Sequence, residues 1–295
     1  MPTTLKLGTR GSPLALVQAG LVRDALAAAH GITVEIVTVK TTGDRVQDRA
    51  LAEIGGKALW TKELDRALLD GAIDCAVHSM KDVETLRPEA IAIAAMLPRA
   101  DVCDRVVGAP SIEALPEGAT VGSSSPRRRA QLLRLRPDLN IVLFRGNVDT
   151  RLAKLAAGEA DATILAAAGL ERLERHDVGA NVPIEVMLPA PAQGAVGIES
   201  RRDDEATRNL LAAIDHAPTH RCVLAERALL AVLAADCHSP VAALATIVGD
   251  GLMMRAELLA EDGSAQVAGE GEDPAKLARE LLDRAPDAIR GLFAA

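Results

Sequence analysis

Four potentially reactive side chains lie close together in the segment His78-Ser79-Met80-Lys81-Asp82. The segment follows the apolar residues 72–77, which predict a buried strand that emerges into a loop after Val77. Loops at strand ends carry the chemistry of many α/β proteins. In such a loop Asp82 could act as a general acid or stabilise a developing positive charge away from water. Taken alone, the segment fits a surface Asp–Lys pair somewhat better.

Arginines gather around two glycine-containing turns. Arg127-Arg128-Arg129 follows the turn at 122–125, and a second turn contains Gly146, which permits close backbone approach. On a helix, two of the three consecutive arginines could bind a ligand while the third faces solvent, although a charged run is usually a solvated face. The whole set is too large for one phosphate and suits a ligand with several carboxylates. Its members are Arg10, Arg127, Arg128, Arg145, Arg151 and Arg172.

Two Ser-Pro pairs predict the starts of helices. Ser12-Pro13 and Ser125-Pro126 each follow a glycine-containing turn between a predicted strand and a predicted helix. The free N–H groups of a helix N-terminus attract anions, so both turns are candidate anion sites. The alternative is that each pair only starts a helix, and for either turn alone we weigh the two about evenly.

Cys237 lies in the polar segment 235–240, directly after a predicted helix. It is a candidate nucleophile paired with His238, a covalent attachment site, or an inert surface thiol. Cys75, Cys103 and Cys222 lie in apolar or helical contexts and are expected to be packing residues. Because no cysteines show CxxC spacing, we expect neither a metal site nor a disulfide framework.

The composition excludes several classes of function. The chain of 295 residues has a net charge of −8, which argues against a nucleic-acid surface or an anionic membrane surface. Its aromatic residues are one Trp and two Phe, too few for a platform that stacks single-stranded bases. We see no secretory signal and no stretch long enough to span a membrane, and therefore expect a cytoplasmic protein.

Strands and helices are predicted to alternate through residue 194, which favours parallel sheets covered by helices. Predicted strands lie at 5–7, 33–40, 73–77, 91–97, 119–121, 140–144 and 162–165. Predicted helices lie at 13–29, 61–69, 126–135, 148–157 and 167–175. A strand at 195–199 is expected to return to the first sheet. Beyond it we predict helices at 204–214, 219–234 and 274–285, and an antiparallel meander at 242–248, 252–259 and 264–268.

Several short motifs occur in a fixed order along nearly the whole chain. They are Thr9-Arg10-Gly11-Ser12-Pro13-Leu14-Ala15, Gly55-Gly56-Lys57, Val77–Asp82, Gly122–Arg128, Arg145-Gly146-Asn147-Val148, Ala168-Gly169-Leu170, residues 193–199 and the Cys237 loop. This ordered set closely resembles the porphobilinogen deaminase family, whose members are also called hydroxymethylbilane synthases. Each motif is short, but the set is specific.

The resemblance implies an α/β fold with two lobes like those of type II periplasmic binding proteins. It also implies a smaller C-terminal α+β domain with a three-stranded antiparallel sheet. The implied domains are residues 1–98 together with 194–215, residues 99–193, and residues 216–295.

The resemblance further implies a transferase of porphyrin and heme biosynthesis. Porphobilinogen would lose ammonia, and the resulting azafulvene would be attacked by the free α-carbon of the growing chain. Four units would be added to a dipyrromethane cofactor that is held by a thioether to Cys237, and hydrolysis would release hydroxymethylbilane. The expected partner is porphobilinogen, without nucleic acid, membrane or metal, and the expected state is a monomer.

Site positions are carried over from the family in the same way. Asp82 is expected to be catalytic, and Cys237 to be the attachment site. Expected cofactor-binding residues are Lys81, Asp44, Ser123, Ser124, Ser125, Arg127, Arg128 and Arg151. Residues expected to bind substrate or the growing chain are Arg10, Ser12, Lys57, Arg145, Gly146, Arg172 and Gln193. The chain departs from the family pattern at Glu53, Trp60, Cys103 and Ala235-Asp236.

Three other hypotheses compete with this one. A two-lobed binding protein for an organic anion would use the helix N-termini and arginines but would need neither Asp82 nor Cys237. Nucleic-acid binding through the arginine run is disfavoured by the net charge, and its signature would be salt-dependent retention of DNA. A cysteine hydrolase would require a histidine within reach of Cys237.

Overall fold

The computed structural model describes residues 4–41 and 61–293, which form two compact units. Described residues 4–41, 61–100 and 194–221 make up the first unit. Described residues 101–193 and 222–293 make up the second. The first unit is therefore built from separate stretches of the chain.

Strands and helices alternate along most of the described chain. The strands are β1 (Thr4–Arg10), β2 (Thr33–Val39), β3 (Cys75–Ser79), β4 (Ile91–Met96), β5 (Asp104–Val107), β6 (Thr120–Gly122), β7 (Asn140–Val142), β8 (Ala162–Ala166), β9 (Ala180–Val182), β10 (Val196–Arg201), β11 (Val241–Val248), β12 (Gly251–Leu259) and β13 (Gln266–Gly271). The helices are α1 (Pro13–His30), α2 (Lys62–Leu69), α3 (Pro126–Leu135), α4 (Val148–Ala156), α5 (Ala167–Arg172), α6 (Glu205–Ala212), α7 (Ala217–Val232), α8 (Pro274–Arg284) and α9 (Asp287–Arg290). A short 3₁₀ turn spans Met80–Asp82.

The sheet of the first unit has the strand order β2-β1-β3-β10-β4 within the described residues. Strand β1 pairs in parallel with β2 and β3, whereas β10 runs antiparallel to β3 and β4. The predicted return of a strand near 195–199 to the first sheet is confirmed. The predicted parallel pairing is found for β1, β2 and β3, but the sheet as a whole is mixed, because β10 enters after residue 193 rather than through a βα crossover and runs antiparallel to its neighbours.

Helices cover both faces of this sheet. On one face, Val22 and Leu26 of α1 pack with Leu7, Cys75 and Val77. On the other face, the α2 residues Leu64 and Leu68 pack with Ala76. Successive residues of a strand point to opposite faces, so the apolar run in β3 is buried on both sides. The end of β3 is consequently fixed by packing from two directions.

Helix α1 begins where the Ser-Pro signal predicts. The Oγ atom of Ser12 accepts a hydrogen bond from the Ala15 N–H at 3.3 Å, and Pro13 occupies the first helical position. The helix ends at His30 because Gly31 adopts the left-handed conformation with φ of 65°. Helix α3 begins in the same way, since Ser125 Oγ accepts from the Arg128 N–H at 3.4 Å. Both predicted helix starts are confirmed.

The second unit contains a sheet with the order β7-β6-β8-β5-β9 in its described part. Strand β6 is parallel to β7 and β8, whereas β5 is antiparallel to β8 and β9. Strands β5 and β9 were not predicted from the sequence. Both strands mix polar and apolar residues and contain no apolar run, so only their pairing with β8 and with each other identifies them as strands.

The C-terminal part of the second unit is an antiparallel meander, β11-β12-β13, covered by helices. Leu229 and Leu233 pack on one part of this core, and Leu277 and Leu281 of α8 on another. The predicted mixed α/β class and the predicted three-stranded antiparallel sheet are confirmed. The finer division into domains 1–98 with 194–215, 99–193 and 216–295 stays a prediction. None of the helices in the described residues is long and apolar enough to cross a membrane.

Candidate active site

A small, partly open cavity lies at the carboxyl ends of β1 and β3 in the first unit. Its polar lining comes from Arg10, Ser12, Gln18, Thr61, His78, Ser79 and Asp82. Three residues that the sequence marked, Arg10, Ser12 and Asp82, are thus brought together. A cation, a helix N-terminus and a carboxylate around one cavity can bind an anionic group and exchange a proton with it.

Ser12 has a structural role in addition to any role in the cavity. Its Oγ atom caps α1, but a hydroxyl that accepts one hydrogen bond can still donate its own proton. Opposite the cap, Gln18 Nε2 lies 2.9 Å from Ser79 Oγ. This hydrogen bond connects the first turns of α1 to the end of β3. The two elements that line the cavity are therefore fixed relative to each other.

Asp82 lies on the 3₁₀ turn that follows β3, and this strand ends later than the sequence predicted. We expected the strand to end after Val77, but it continues through His78 and Ser79 because both residues pair with β10. The turn is then anchored by Met80, whose backbone N–H donates to Ala195 O at 3.1 Å and whose side chain is buried. Lys81 and the half-buried Asp82 follow this anchor.

Gly197 of β10 leaves the space that Met80 fills. A Cβ atom at Gly197 would lie 2.1 Å from Met80 Sδ and 2.7 Å from Met80 Cγ, far inside van der Waals contact. The turn that carries Asp82 therefore depends on a missing side chain in the neighbouring strand.

We expect Gly197→Ala to displace the turn. On the prediction that Asp82 is catalytic, turnover should fall about 100-fold, since small misplacements of a reacting group cost factors of this size. The variant should lose about 1–3 kcal/mol of stability through overpacking. Steady-state kinetics and thermal unfolding would check both effects. The double variant Gly197→Ala, Met80→Ala is the control, because it restores space and should recover part of the stability. A Gly197→Ala protein with unchanged kinetics would contradict the proposed anchoring.

A buried cluster of charges lies beside the cavity and was not predicted from the sequence. Glu199, with its side chain 0% exposed, accepts two hydrogen bonds from Arg87, from Nε and Nη2, both at 2.8 Å. Its Oε2 atom also lies 3.1 Å from His78 Nε2. Arg87 additionally binds Asp65 and Glu84. Burial alone would raise the pKa of Glu199, but His78 and Arg87 outweigh it and lower the pKa to about 2.

This cluster should make the protein sensitive to acid. The pKa of Glu199 is about 2 in the folded protein, below its ordinary value of 4.5, so its stabilisation is complete above about pH 4.5 and is lost as the pH falls towards 2. We expect Glu199→Gln to lower the free energy of unfolding by about 3 kcal/mol at neutral pH. This difference between the variant and the unaltered protein should become smaller in acid. Thermal unfolding across pH would measure it. Asp24→Asn, in an exposed pair with Arg23, should change little. If the difference in the free energy of unfolding between Glu199→Gln and the unaltered protein did not depend on pH, the lowered pKa of Glu199 would be refuted.

In the second unit, Arg127 and Arg128 converge on one carboxylate. Asp104 Oδ2 accepts from Arg127 Nη1 at 2.7 Å, and Asp104 Oδ1 accepts from Arg128 Nη2 at 2.7 Å. Both arginines are buried, whereas Arg129 is exposed. The expectation that two arginines of the run turn inward and the third faces solvent fits this arrangement. Asp104 was not among the expected site residues.

Gln193 joins the same cluster. Its Nε2 atom donates to Asp104 Oδ1 at 2.9 Å and to Val102 O at 2.7 Å, and its Oε1 atom lies 3.4 Å from Arg127 Nη2. The side chain is 0% exposed. Gln193 therefore contacts the arginines directly, and any contact it makes with substrate or growing chain stays a prediction.

The serine turn and the Gly146 turn are linked to each other. Arg151 donates from Nη2 to Ser124 Oγ at 3.2 Å and from Nε to Gly146 O at 3.0 Å. The backbone N–H of Ser125 donates to Ser123 Oγ at 3.2 Å. Gly146 has φ of 113°, and a Cβ atom there would lie 2.6 Å from Thr150 Cγ2. Glycine is therefore required at this turn for its conformation and for the space it leaves.

The remaining two arginines of the set are placed differently. Arg145, directly before the Gly146 turn, is 7% exposed. Arg172 lies in the last turn of α5, and burial lowers its pKa from the ordinary value. A desolvated guanidinium interacts more strongly with an anion than one in water. Asp44 and Lys57, and the family departures Glu53 and Trp60, lie outside the described residues.

Cys237 is exposed on a tight turn between α7 and β11. Asp236 closes the turn, since its Oδ1 accepts from the His238 N–H at 2.8 Å and its N–H donates to Ser239 Oγ at 3.2 Å. The ligand atoms of Asp236, Cys237 and His238 lie within 4.8 Å of one another because the turn brings neighbours together. Asp236, a departure from the family pattern, thus has a structural role.

The other cysteines contrast with Cys237. Cys75 and Cys222 are buried, as expected for packing residues. Cys103 is partly buried. Its burial, and to a lesser extent its hydrogen bond with Asp101, raise the pKa of its thiol to about 11. A thiol with that pKa is protonated at neutral pH and is a poor nucleophile.

Two family models and two curated relatives that match this chain carry the name porphobilinogen deaminase. Residues 5–209 match the family described as "Porphobilinogen deaminase, dipyromethane cofactor binding domain", and residues 220–285 match "Porphobilinogen deaminase, C-terminal domain". A porphobilinogen deaminase of Sphingopyxis alaskensis is 60% identical, with 98% of this chain and 96% of the relative covered. One of Paracoccus denitrificans is 54% identical, with 96% and 95% covered.

Among solved structures, the periplasmic VFT2 domain of Bordetella pertussis BvgS is similar, with a TM-score of 0.44 and 16% identity. The similarity covers 72% of this chain and 86% of that domain. The two family matches, in contrast, together span nearly all the described residues, and the curated relatives match over almost their full length. The chain belongs to the porphobilinogen deaminase family.

Proposed function

We propose that this protein is a hydroxymethylbilane synthase. It joins four porphobilinogen molecules head to tail with loss of ammonia, on a primer bound to Cys237, and releases the linear tetrapyrrole by hydrolysis. The observation that carries the proposal is the 60% identity to a porphobilinogen deaminase over 98% of this chain. The exposed Cys237 and the cavity around Asp82 support it independently.

The residues present fit a dipyrromethane cofactor. Each pyrrole of this group carries an acetate and a propionate, so it is a polyanion that needs several cations. The Nε atoms of Arg127 and Arg128 are buried and have no hydrogen-bond partner among the described residues. Arg151 and the serines at 123–125 add further donors, and Cys237 offers an exposed thiol for the thioether. When bound, the cofactor supplies the nucleophilic carbon to which the first substrate unit is joined.

Asp82 is the proposed catalytic residue. Departure of the amino group from porphobilinogen leaves positive charge on the pyrrole, and a carboxylate in a sheltered cavity stabilises such charge. Asp82 can also pass a proton to the departing amine. Lys81 and Asp44 are proposed to bind the cofactor with Arg127, Arg128 and Arg151.

The binding of substrate and growing chain is assigned to a second group of residues. Arg10 and Ser12 line the cavity of the first unit, where they can hold a carboxylate of the substrate. The other proposed members are Lys57, Arg145, Gly146, Arg172 and Gln193. We also propose that the protein acts as a monomer in the cytoplasm, which light scattering of the purified protein and fractionation of cells would test.

Intact mass spectrometry tests the proposed function most directly. The purified protein should carry a covalent excess of two linked pyrrole units, mapped to Cys237. Exposure to porphobilinogen should add further increments of one pyrrole unit, and hydroxymethylbilane should appear in solution. A protein that stays unmodified in both conditions, although folded and also supplied with preformed tetrapyrrole, would instead indicate an anion-binding protein.

A further inference from the structure

Asp104 occupies the centre of the arginine cluster in the second unit. It is the first residue of β5, and its side chain is 0% exposed. Its two oxygens divide the neighbouring donors, with Oδ2 bound to Arg127 and Oδ1 bound to Arg128, each at 2.7 Å. Gln193 Nε2 adds a third hydrogen bond to Oδ1 at 2.9 Å. Three donors therefore converge on one buried carboxylate.

The arginines are held on their other sides by neutral acceptors. Arg127 Nη1 also donates to Gln131 Oε1 at 3.0 Å and to Leu188 O at 3.1 Å. Arg128 Nη1 donates to Ile164 O at 3.0 Å. The terminal nitrogens of both guanidinium groups are thus engaged by the protein, while their Nε–H groups have no hydrogen-bond partner among the described residues. Each guanidinium is therefore held by the protein in one orientation, and its Nε–H is among the donors that these contacts leave unused.

Charge balance favours an additional anion. Burial alone would raise the pKa of Asp104, but Arg127 and Arg128 outweigh it and hold the pKa well below its usual range, so Asp104 is ionised. The two guanidinium groups share one directly bound carboxylate, so the positive charge of the second is met only by more distant acidic groups. Glu257 acts on Arg127 from farther away, since its Oε2 accepts a hydrogen bond from Gln131 at 3.1 Å. Buried charges in proteins are normally paired, so a further carboxylate would be stabilised here.

We propose that Asp104 is a positioning residue that fixes Arg127 and Arg128 in the orientation needed to receive the cofactor carboxylates. The inference rests on the proposed function, in which these two arginines bind the cofactor. It predicts that the place of the Asp104 carboxylate matters as well as its charge. If Asp104 only neutralised excess charge, its removal would raise the attraction of the cluster for an anion.

Three variants separate position from charge. Asp104→Asn removes the charge with little change of shape, and Asp104→Glu keeps the charge but moves the carboxylate by one methylene group. Glu226→Gln is the matched control. Glu226 is another buried carboxylate of the second unit, and it accepts hydrogen bonds from the backbone N–H groups of Ala192 and Ala245.

Each full-length protein is prepared without cofactor and then supplied with preformed hydroxymethylbilane or porphobilinogen. Intact mass spectrometry follows the covalent increment at Cys237 over time, and thermal unfolding reports the fold. We expect Asp104→Asn and Asp104→Glu each to load at least about tenfold more slowly than the unaltered protein. Glu226→Gln should load at the normal rate even if it is equally destabilised. Faster loading of Asp104→Asn, or normal loading of Asp104→Glu, would overturn the proposal.

The unaltered protein provides a test if neither Asp104 variant folds. Side-chain ¹⁵N spectra of arginine should show Nε–H signals of Arg127 and Arg128 that exchange slowly with water and that shift when the cofactor is loaded. Arg127→Lys and Arg128→Lys assign these signals. Rapid exchange in the protein without cofactor would show mobile guanidinium groups and refute the positioning role. Failure of the unaltered protein to load would instead contradict the proposed function itself.

Discussion

Replacement of Asp82 by Asn is expected to lower porphobilinogen turnover about 10²- to 10⁴-fold while the protein still folds. The turn is held by Met80 and Ala195, and Asn has nearly the same shape as Asp, so the local structure should persist. The loss arises because an amide can neither balance the charge that develops on the pyrrole nor exchange the proton of the departing amine.

Turnover of Asp82→Asn would be compared with its cofactor content and its unfolding temperature. The control is Glu84→Gln, a carboxylate two residues further along the chain that binds Arg87 and does not line the cavity. It should keep nearly normal turnover. If Asp82→Asn carries cofactor and turns over porphobilinogen at the normal rate, Asp82 is not the catalytic carboxylate. If it carries none, reconstitution with preformed tetrapyrrole separates assembly from catalysis.

The sequence predicted the parts of the fold whose signals are local. A serine followed by proline satisfies the first N–H groups of a helix, so the starts of α1 and α3 were visible without any tertiary information. The meander was visible because short, largely apolar segments are separated by glycine-containing turns, as at Gly249-Asp250-Gly251. Neither signal depends on where the rest of the chain lies.

The features that were missed depend on partners distant in sequence. Glu199 and Arg87 are 112 residues apart, and Asp104 and Arg127 are 23 residues apart. The residues next to Glu199 do not reveal its partners, and only the pairing of β10 with β3 places it beside His78. The continuation of β3 to Ser79 has the same origin, since the hydrogen bonds come from β10.

The number of arginines in the set predicts the kind of ligand but not the contacts that each arginine makes. Its size predicted a ligand with several carboxylates, and the orphaned Nε atoms of Arg127 and Arg128 are consistent with that prediction. Counting could not show that these two arginines share Asp104 or that Arg151 binds Ser124 and Gly146. Several of the arginine N–H groups therefore bind other groups of the protein. Fewer donors remain for an anionic ligand than the number of arginines suggests, and those that remain are held in fixed orientations.

Replacement of Cys237 by Ser is expected to abolish covalent cofactor loading and to reduce turnover to background. A serine hydroxyl at neutral pH is a far weaker nucleophile than a thiol, a fraction of which is ionised, so the linkage should not form at that position. The fold should be unaffected, because Cys237 is exposed and the turn is closed by Asp236 and Ser239. A change confined to loading would therefore report chemistry rather than stability.

Cys103→Ser is the matched control for this prediction. Cys103 also lies in the second unit, but its raised pKa of about 11 leaves it protonated, so its replacement should not affect loading. Both variants would be supplied with preformed hydroxymethylbilane and porphobilinogen, and their intact masses compared with that of the unaltered protein. An increment of two pyrrole units on Cys237→Ser would place the attachment elsewhere. Loss of the increment in Cys103→Ser alone would assign it to Cys103, although the exposed turn at Cys237 is the more reactive environment.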